Sequence, residues 1–283
     1  MAGPIDLHTH SSVSDGTQTP AELVAAAHSA GLGTVALTDH DSTAGWAQAF
    51  EAASGTGMTV IPGMELSTRF EGRSVHLLAY LFDPTDVPLA TETARIRDSR
   101  LHRAERITER IAEDYPLTWP DVLAQATTGA TLGRPHIADA LVALGIVDDR
   151  SAAFAGILHA RNGYYQAHYA PTPLEAVRLV RAAGGVPVLA HPGTRGSEKV
   201  VAEEHLALLV DAGLFGLEIH HRENTDSGRQ RLYELAEHFH LAITGSSDYH
   251  GAGKPNRLAE NVTTPEVLEQ IIAAGTGSAP FYG

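Results

Sequence analysis

The sequence predicts an α/β barrel with an all-helical segment inserted into it. Short apolar runs rich in β-branched residues alternate with Ala-rich helical patterns over most of the 283 residues, which is typical of a sheet covered by helices. Between about residues 89 and 168 the helical patterns continue with little strand character, and the alternation then resumes. We therefore predict a discontinuous barrel of residues 1–88 and 169–283 and a helical insertion of residues 89–168.

The strands and helices of the predicted barrel have recognisable ends. Thr19 and Thr172 each precede a proline and stand three residues before a glutamate, a pattern that favours a capping box with proline at the first helical position. Each of these helices leads into an apolar run that ends in histidine. The predicted strands cover residues 4–8, 33–40, 58–63, 74–80, 186–191, 216–220 and 241–248.

Composition restricts the classes of function. A hydrophobic content of 43% is sufficient for a large core, and the absence of cysteine excludes disulfides and thiolate metal sites and makes the cytoplasm the expected location. The formal net charge of -14 disfavours a protein that grips long nucleic acids through their backbone. No apolar run approaches the ~18 residues of a membrane span, and the N-terminal residues do not resemble a signal peptide.

Residues that bind metal ions occur where predicted strands end. His8 and His10 are two positions apart, so they point to the same face of a strand. The carboxyl ends of parallel barrel strands form one face, which carries the chemistry. Two or three ions that share a bridging carboxylate fit the set better than one, and imidazole with carboxylate suits Mn²⁺, Fe²⁺ or Zn²⁺. The candidates are His8, His10, Asp15, His40, Glu65, His76, His191, Asp248 and His250.

Five motifs in order along the chain resemble those of the PHP (polymerase and histidinol phosphatase) superfamily: DLHTHSSVSDG, ALTDHDS, PGMELS, VLAHPG and SSDYHG. The resemblance implies a distorted (β/α)7 barrel with two or three divalent ions, Mn²⁺ being favoured. It also implies three ligand groups. The first ion would be bound by His8, His10, Glu65 and Asp248, the second by Glu65, His76 and His191, and the third by Asp15, His40 and His250.

The long insertion after the His76 strand, with GRPHIADAL inside it, resembles the small-phosphoesterase subgroup of that superfamily. This resemblance implies that the insertion covers the active-site face. It also implies hydrolysis of the 3′-phosphate of a 3′,5′-bisphosphate nucleotide by a metal-bridging hydroxide. The catalytic residues would be His191, Asp248 and His250. The alternative in the same family is a 5′→3′ exonuclease acting on short single-stranded RNA or DNA.

Substrate contacts are expected beyond the metal ligands. Arg134 and His136 could hold a second phosphate, Arg134 through its fork of donors. Arg195 follows a ligand loop, and His220 is expected to line the pocket while His221 faces away. The expected partners are a small phosphate ester or nucleotide, or short oligonucleotides, with no membrane and no obligate protein partner.

An arginine-rich run and several further histidines are interpreted as structural or solvent-exposed. The six arginines between Arg95 and Arg110 are interleaved with acidic residues at helical spacing, which favours a solvated, salt-bridged helix face over a nucleic-acid surface. His168 is among the histidines interpreted as structural or exposed.

A barrel that binds metal or phosphate without catalysis is the alternative from a different functional class, although it would not need so complete a set of ligands.

Overall fold

The computed structural model describes residues 3–194 and 199–283, so the predicted contact residue Arg195 lies outside the described part of the chain. The strands are β1 (Ile5–Thr9), β2 (Thr34–Leu37), β3 (Thr59–Phe70), β4 (Arg73–Tyr80), β5 (Val186–Leu189), β6 (Gly216–His220), β7 (Ala242–Gly245) and β8 (Phe281–Tyr282). The helices are α1 (Pro20–Ser29), α2 (Trp46–Ala53), α3 (Val87–Ile111), α4 (Trp119–Leu123), α5 (Arg134–Ala143), α6 (Arg150–Ala155), α7 (Pro173–Ala182), α8 (Glu203–Asp211), α9 (Asp226–Phe239) and α10 (Pro265–Ala274).

Within those residues, seven strands lie side by side in chain order, from β1 to β7, and β8 pairs with β3. A parallel bridge between Thr9 and Tyr249 joins the end of β1 to the segment after β7, so the barrel is nearly closed. The capping boxes at Thr19 and Thr172 are both formed, and each threonine oxygen accepts a hydrogen bond from the backbone N–H of the glutamate three residues later. The predicted α/β barrel is confirmed.

The barrel departs from an all-parallel arrangement at one place. β3 runs for 12 residues to Phe70 and turns back into β4, so that β4 is antiparallel to both β3 and β5. Glu71 and Gly72 make this turn with positive φ angles of 45° and 80°, a conformation that glycine adopts without strain. Glu65 therefore lies within a strand, whereas the sequence placed it after one. His76 reaches the same face from a returning hairpin strand.

The strands are buried on both faces, which explains their continuous apolar runs. Alternate residues of neighbouring strands, among them Leu7, Ile61 and Val188, pack together with residues of α10 in one cluster. Residues of the opposite parity, such as Leu37 and Val60, pack in a larger cluster against the surrounding helices. This packing holds the strand ends in fixed relative positions, as a site built from several strands requires.

The segment between β4 and α7 contains α3 to α6 and, in the part of the chain that the structure describes, no strand. Its buried residues, from Ala104 on α3 to Leu158 after α6, form a hydrophobic cluster separate from the two barrel clusters. Inside residues 3–194 and 199–283, none of the helices combines the length and the apolar character that crossing a bilayer requires.

Candidate metal centre

Four side chains from three strands of the barrel meet at one point. His8 and His10 stand at the end of β1, Glu65 lies within β3 and Asp248 follows β7, and all four are buried. His8 Nε2 lies 3.1 Å from His10 Nε2, and Glu65 Oε2 lies 3.2 and 3.1 Å from these two nitrogens. Asp248 Oδ1 lies 3.4 and 3.3 Å from the same nitrogens. We refer to these four residues as the first set.

The spacing of the first set fits a metal ion. Atoms at the corners of a tetrahedron are about 1.6 times as far from each other as from its centre, so separations of this size leave a centre about 2 Å from each atom. That is the bond length from Zn²⁺ to nitrogen or oxygen ligands. His8 Nδ1 lies 3.0 Å from Glu218 Oε1. Since a carboxylate can only accept, Nδ1 carries a proton, and once the ring loses its second proton Nε2 would direct a lone pair at the centre.

Glu65 connects the first set to a second one. Its Oε2 belongs to the first set, while its Oε1 lies 2.8 Å from His76 Nδ1 and 3.2 Å from His191 Nε2. His40 Nδ1 lies 3.2 Å from Oε2, and this buried nitrogen makes no hydrogen bond with any residue that the structure describes. Glu65 is thus surrounded by imidazoles on both oxygens, the arrangement that a carboxylate bridging two cations needs.

Asp15 forms a third set on the other side of the first. Its Oδ1 lies 3.1 Å from His250 Nε2 and 3.7 Å from His10 Nδ1. Its Oδ2 lies 3.7 Å from His40 Nε2. His250 Nε2 is buried and has no hydrogen bond in the described part of the chain, while Nδ1 of the same ring lies 2.8 Å from the backbone carbonyl of Asp248. The nine predicted ligands therefore lie in three neighbouring sets, with His40 between the second and the third.

The charges of the centre are mutually dependent. Burial raises the pKa of Glu65, but the neighbouring imidazoles, that of His76 foremost, outweigh burial and hold the pKa well below its usual range. Burial lowers the pKa of His10, but the carboxylates of Asp248 and Glu65 outweigh it and raise the pKa to about 9. Without a metal this imidazole therefore keeps its proton at neutral pH, and metal binding must displace that proton.

Two buried aspartates outside the three sets fix the surrounding loops. Asp39 accepts hydrogen bonds from the backbone N–H and the hydroxyl of Ser11 at 2.8 and 2.6 Å, and from the hydroxyl of Ser14 at 2.6 Å. Ser14 Oγ in turn lies 3.3 Å from His10 Nδ1. Asp41 accepts from Ser67 on β3 through both carboxylate oxygens, at 2.7 and 2.8 Å. These bonds hold the loop after β1 and the middle of β3 against the loop after β2.

Three residues near the centre were not predicted as part of it. Glu218 on β6 accepts from His8 as described and from the backbone N–H of His191 at 2.8 Å. Lys254 Nζ donates to Asp248 Oδ2 at 2.7 Å. His221 is buried, with Nε2 3.6 Å from the same oxygen. The sequence signal for Glu218 was its position two residues before a histidine at a strand end, whereas Lys254 and His221 lie in loops with no periodicity to place them.

The expectation for the two neighbouring histidines is reversed. His220 is exposed, and its Nε2 lies 3.2 Å from Tyr233 Oη, whereas His221 lies at the centre. The pairing of β6 with β7 shifts register between Glu218 and His220. Such an irregularity interrupts the alternation of side chains along a strand, so counting from Glu218 puts His220 on the wrong side.

Two predicted substrate-contact residues, Arg134 and His136, lie in the first turn of α5. Arg134 begins α5, and its guanidinium lies over the rings of Phe154 and Tyr165, 5.2 and 5.4 Å from their centres. His136 is buried, and its Nδ1 accepts a hydrogen bond from the backbone N–H of Gly133 at 3.2 Å, which caps the helix. His136 therefore has a structural contact, and Arg134 has no carboxylate partner within the described ranges.

The arginines of α3 also differ from expectation. Arg106 and Arg110 are exposed, as a solvated face requires, but Arg100 and Arg103 are buried on the inner side of the helix. Arg100 Nη1 donates to Ser67 Oγ at 2.8 Å and lies 3.3 Å from Asp41 Oδ2. The interpretation of the whole run as a solvated surface was therefore wrong for these two residues, because equal spacing of like residues does not tell which helix face meets the barrel.

Comparison with known proteins places the chain in a family. The PHP domain profile matches residues 6–171. A 5′-3′ exoribonuclease of Haemophilus influenzae is 31% identical over 88% of this chain and 91% of its own. A 3′,5′-nucleoside bisphosphate phosphatase of Chromobacterium violaceum is 30% identical over 89% of each chain. A crystal structure from Bifidobacterium adolescentis, provisionally named a metal-dependent phosphoesterase, is 43% identical over 98% of each chain with a TM-score of 0.93. The chain belongs to the PHP domain family.

Proposed function

We propose that the chain is a metal-dependent phosphoesterase that hydrolyses a small phosphate monoester, namely the 3′-phosphate of a 3′,5′-bisphosphate nucleotide, to give a nucleoside 5′-monophosphate and phosphate. The observation that carries this proposal is the convergence of the nine ligand residues around Glu65, whose two oxygens face different sets of imidazoles. The C. violaceum relative, which is similar along 89% of this chain, is named a 3′,5′-nucleoside bisphosphate phosphatase.

The chain's own residues would hold and orient the ions. The first set would bind one ion, Glu65 with His76 and His191 a second, and Asp15 with His250 and His40 a third. Bound divalent ions would supply a Lewis acid at the phosphoryl oxygens and lower the pKa of water. Imidazole and carboxylate ligands suit Mn²⁺, Fe²⁺ and Zn²⁺ alike. We propose Mn²⁺, because the family resemblance favours it, with the other two ions as alternatives. His191, Asp248 and His250 are the proposed catalytic residues, since one of them belongs to each of the three sets.

Space for a substrate exists on both sides of the centre. A cavity of about 270 Å³ is bounded by His76 and His191, and another of about 280 Å³ by Asp15, His250 and Phe154 of α6. Glu223 lines both cavities. We propose that the phosphoryl group lies at the metal ions between the cavities. Residues 89–168, which contribute Phe154, would then form a cover over this face.

A second candidate function is 5′→3′ trimming of short RNA. It is favoured by the name of the H. influenzae relative, which is similar to this chain along 88% of its length. The two activities need the same ion-binding residues and differ in what must fit beside the phosphoryl group. Activity toward substrates of different size therefore separates them, whereas loss of activity in a ligand variant does not.

The proposal is tested by comparing rates on adenosine 3′,5′-bisphosphate, a 5′-phosphorylated RNA pentamer and p-nitrophenyl phosphate in the presence of Mn²⁺. We expect the bisphosphate to have the highest kcat/KM. Asp248→Asn should lose about a thousandfold or more on every substrate, whereas Glu71→Gln, at an exposed turn, should retain activity. Undiminished turnover in Asp248→Asn would contradict the proposed site, and faster cleavage of the pentamer would favour the exonuclease.

A further inference from the structure

Two buried arginines on α3 differ in their partners. Arg100 and Arg103 are three positions apart, so they lie on the same face of the helix, and their exposed fractions are 5% and 6%. Arg100 has a carboxylate partner, since it contacts Asp41 and Ser67 as described, and its Nε donates to the carbonyl of Leu132 at 3.3 Å. Arg103 has no carboxylate partner among the described residues.

The hydrogen bond between Arg103 and His168 fixes the protonation of the histidine. Arg103 Nη1 lies 2.9 Å from His168 Nδ1. A guanidinium can only donate, so Nδ1 accepts and the ring proton of neutral His168 must be on Nε2. That nitrogen is buried without a hydrogen bond, as is Arg103 Nε. The pair therefore has two buried N–H donors without an acceptor among the described residues.

Positive charge accumulates around this pair. Burial, together with the guanidinium groups of Arg100 and Arg134, lowers the pKa of Arg103 to about 9. Burial and the neighbouring arginines, Arg103 first among them, lower the pKa of His168 to about 2. Arg69 Nη1 is a further buried donor that has no hydrogen bond within residues 3–194 and 199–283. Burying unpaired charges and unbonded donors is costly in free energy, and an oxyanion would satisfy both.

This cationic group adjoins the metal centre. Arg100 contacts Ser67, and Ser67 is paired with His76 in the ladder between β3 and β4. Arg134 lies near Arg103 and also contacts Phe154, which lines the cavity beside Asp15 and His250. A substrate with one phosphoryl group at the metal ions could therefore place a second anionic group among the donors of the helical segment.

We infer that Arg103 and His168 form an oxyanion site in the helical segment, separate from the metal ligands, which selects substrates that carry a second phosphate. This inference rests on the proposed function for the identity of the substrate, but the site itself requires no metal and no catalysis. Arg103 would give two donors in its guanidinium plane and His168 its Nε2–H, so the site favours a tetrahedral oxyanion over a neutral group.

The direct test is phosphate binding by the metal-stripped full-length protein, measured by calorimetry and thermal unfolding in chloride buffer. We expect saturable binding of inorganic phosphate by the wild type. Arg103→Met should weaken it about tenfold or more, because charged hydrogen bonds are lost, whereas Arg106→Met, at an exposed position of the same helix, should not. Equal phosphate affinity in wild type and Arg103→Met, or no phosphate binding by the wild type, would overturn the inference.

The melting temperature measured without phosphate distinguishes an arginine that binds an anion from one that only supports the fold. An arginine that only supports the fold is needed at all times, so Arg103→Met would lower the melting temperature. An arginine held for an absent anion is unpaired, so Arg103→Met should leave the melting temperature unchanged or raise it. If Arg103→Met does not fold, His168→Leu, which removes the Nε2 donor, provides the binding measurement, and a phosphate affinity equal to that of the wild type would then overturn the inference.

Kinetics connect the site to the substrate. We expect Arg103→Met to lower the ratio of kcat/KM for adenosine 3′,5′-bisphosphate over kcat/KM for p-nitrophenyl phosphate about tenfold, mainly through KM. An unchanged ratio would contradict selection of a second phosphate. A wild type that binds phosphate but hydrolyses none of these esters would disprove the proposed function. The oxyanion site would then be judged by the phosphate-binding measurement alone.

Discussion

The metal centre and the inner face of α3 are both buried and both rich in titratable groups, but their charges are balanced differently. In the centre every imidazole lies near a carboxylate, and Glu65 alone contacts five of them. On α3, Arg103 faces an imidazole and other cations. In the metal centre, imidazole nitrogens and carboxylate oxygens lie close to one another, and bound cations would stabilise this arrangement. The inner face of α3 has an excess of N–H donors and needs an oxyanion.

The largest effect is expected where the two oxygens of one side chain serve two sets. Glu65→Gln keeps the size of the side chain but replaces one carboxylate oxygen with an amide that cannot ligate as an anion. We expect kcat on any hydrolysed phosphate ester to fall about a thousandfold or more. Full activity in Glu65→Gln, with Glu71→Gln as the control for the same change at an exposed position, would break the description of the centre as carboxylate-bridged.

A smaller effect is expected one contact away from the centre. Glu218 has a pKa of about 2, because burial, which would raise it, is outweighed by the imidazoles of His8 and His221. Its negative charge orients His8, so Glu218→Gln should weaken metal binding by roughly 10- to 100-fold. Competition with a metal-sensitive dye measures this affinity. A metal affinity equal to that of the wild type would show that Glu218 does not support metal binding.

The neighbouring histidines of β6 give a matched pair. His221 is buried beside Asp248, while His220 is exposed and contacts Tyr233. His221→Asn should lower activity roughly tenfold, as expected for a residue that supports a metal ligand, and His220→Asn should change it little. Steady-state rates on the preferred ester decide between them, and a larger loss for His220→Asn would restore the assignment predicted from the sequence.

Acid should affect the cationic region in a predictable direction. The folded-state pKa of His168 is about 2, below its ordinary value of 6.5. Below pH 6.5 the unfolded chain therefore binds a proton that the folded chain does not, and the free energy of unfolding falls as the pH falls. Without that histidine the loss disappears.

His168→Gln should therefore gain about 2 kcal/mol of unfolding free energy relative to the wild type between pH 7.5 and pH 5.0. Urea unfolding of both metal-stripped proteins in phosphate-free chloride buffer measures this difference. A constant difference between variant and wild type at the two pH values would show that His168 takes up a proton in the folded protein.

The barrel and the positions of most of the proposed ligands were predictable because they depend on local patterns. Apolar runs mark buried strands, and a polar residue at such a run's end, like His8 or His191, stands out. Glu65 was identified although the antiparallel turn after its strand was not, because its motif follows chain order whatever the strand direction. His76 was a candidate as a histidine of the predicted strand 74–80, whose direction does not change its place in the sequence. The expected ion groups also agree with the distances around Glu65 and Asp15.

What the sequence did not predict depends on tertiary orientation. The register irregularity in β6 exchanged the places of His220 and His221, and no periodicity records such an irregularity. Arg103 looked like Arg106 on the same helix, since only the docking of α3 against the barrel decides which arginine is buried. The boundaries of the helical insertion, residues 89–168, and its function as a cover stay predictions.

The most direct test of the central claim is the number of divalent ions bound per chain. Wild-type protein and Glu65→Gln are loaded with Mn²⁺, freed of loosely bound metal by gel filtration, and examined by elemental analysis. We predict at least two ions per wild-type chain and a loss of at least one in Glu65→Gln. A wild-type chain that retains no ion, or a variant that retains the full number, would contradict a centre organised around this carboxylate.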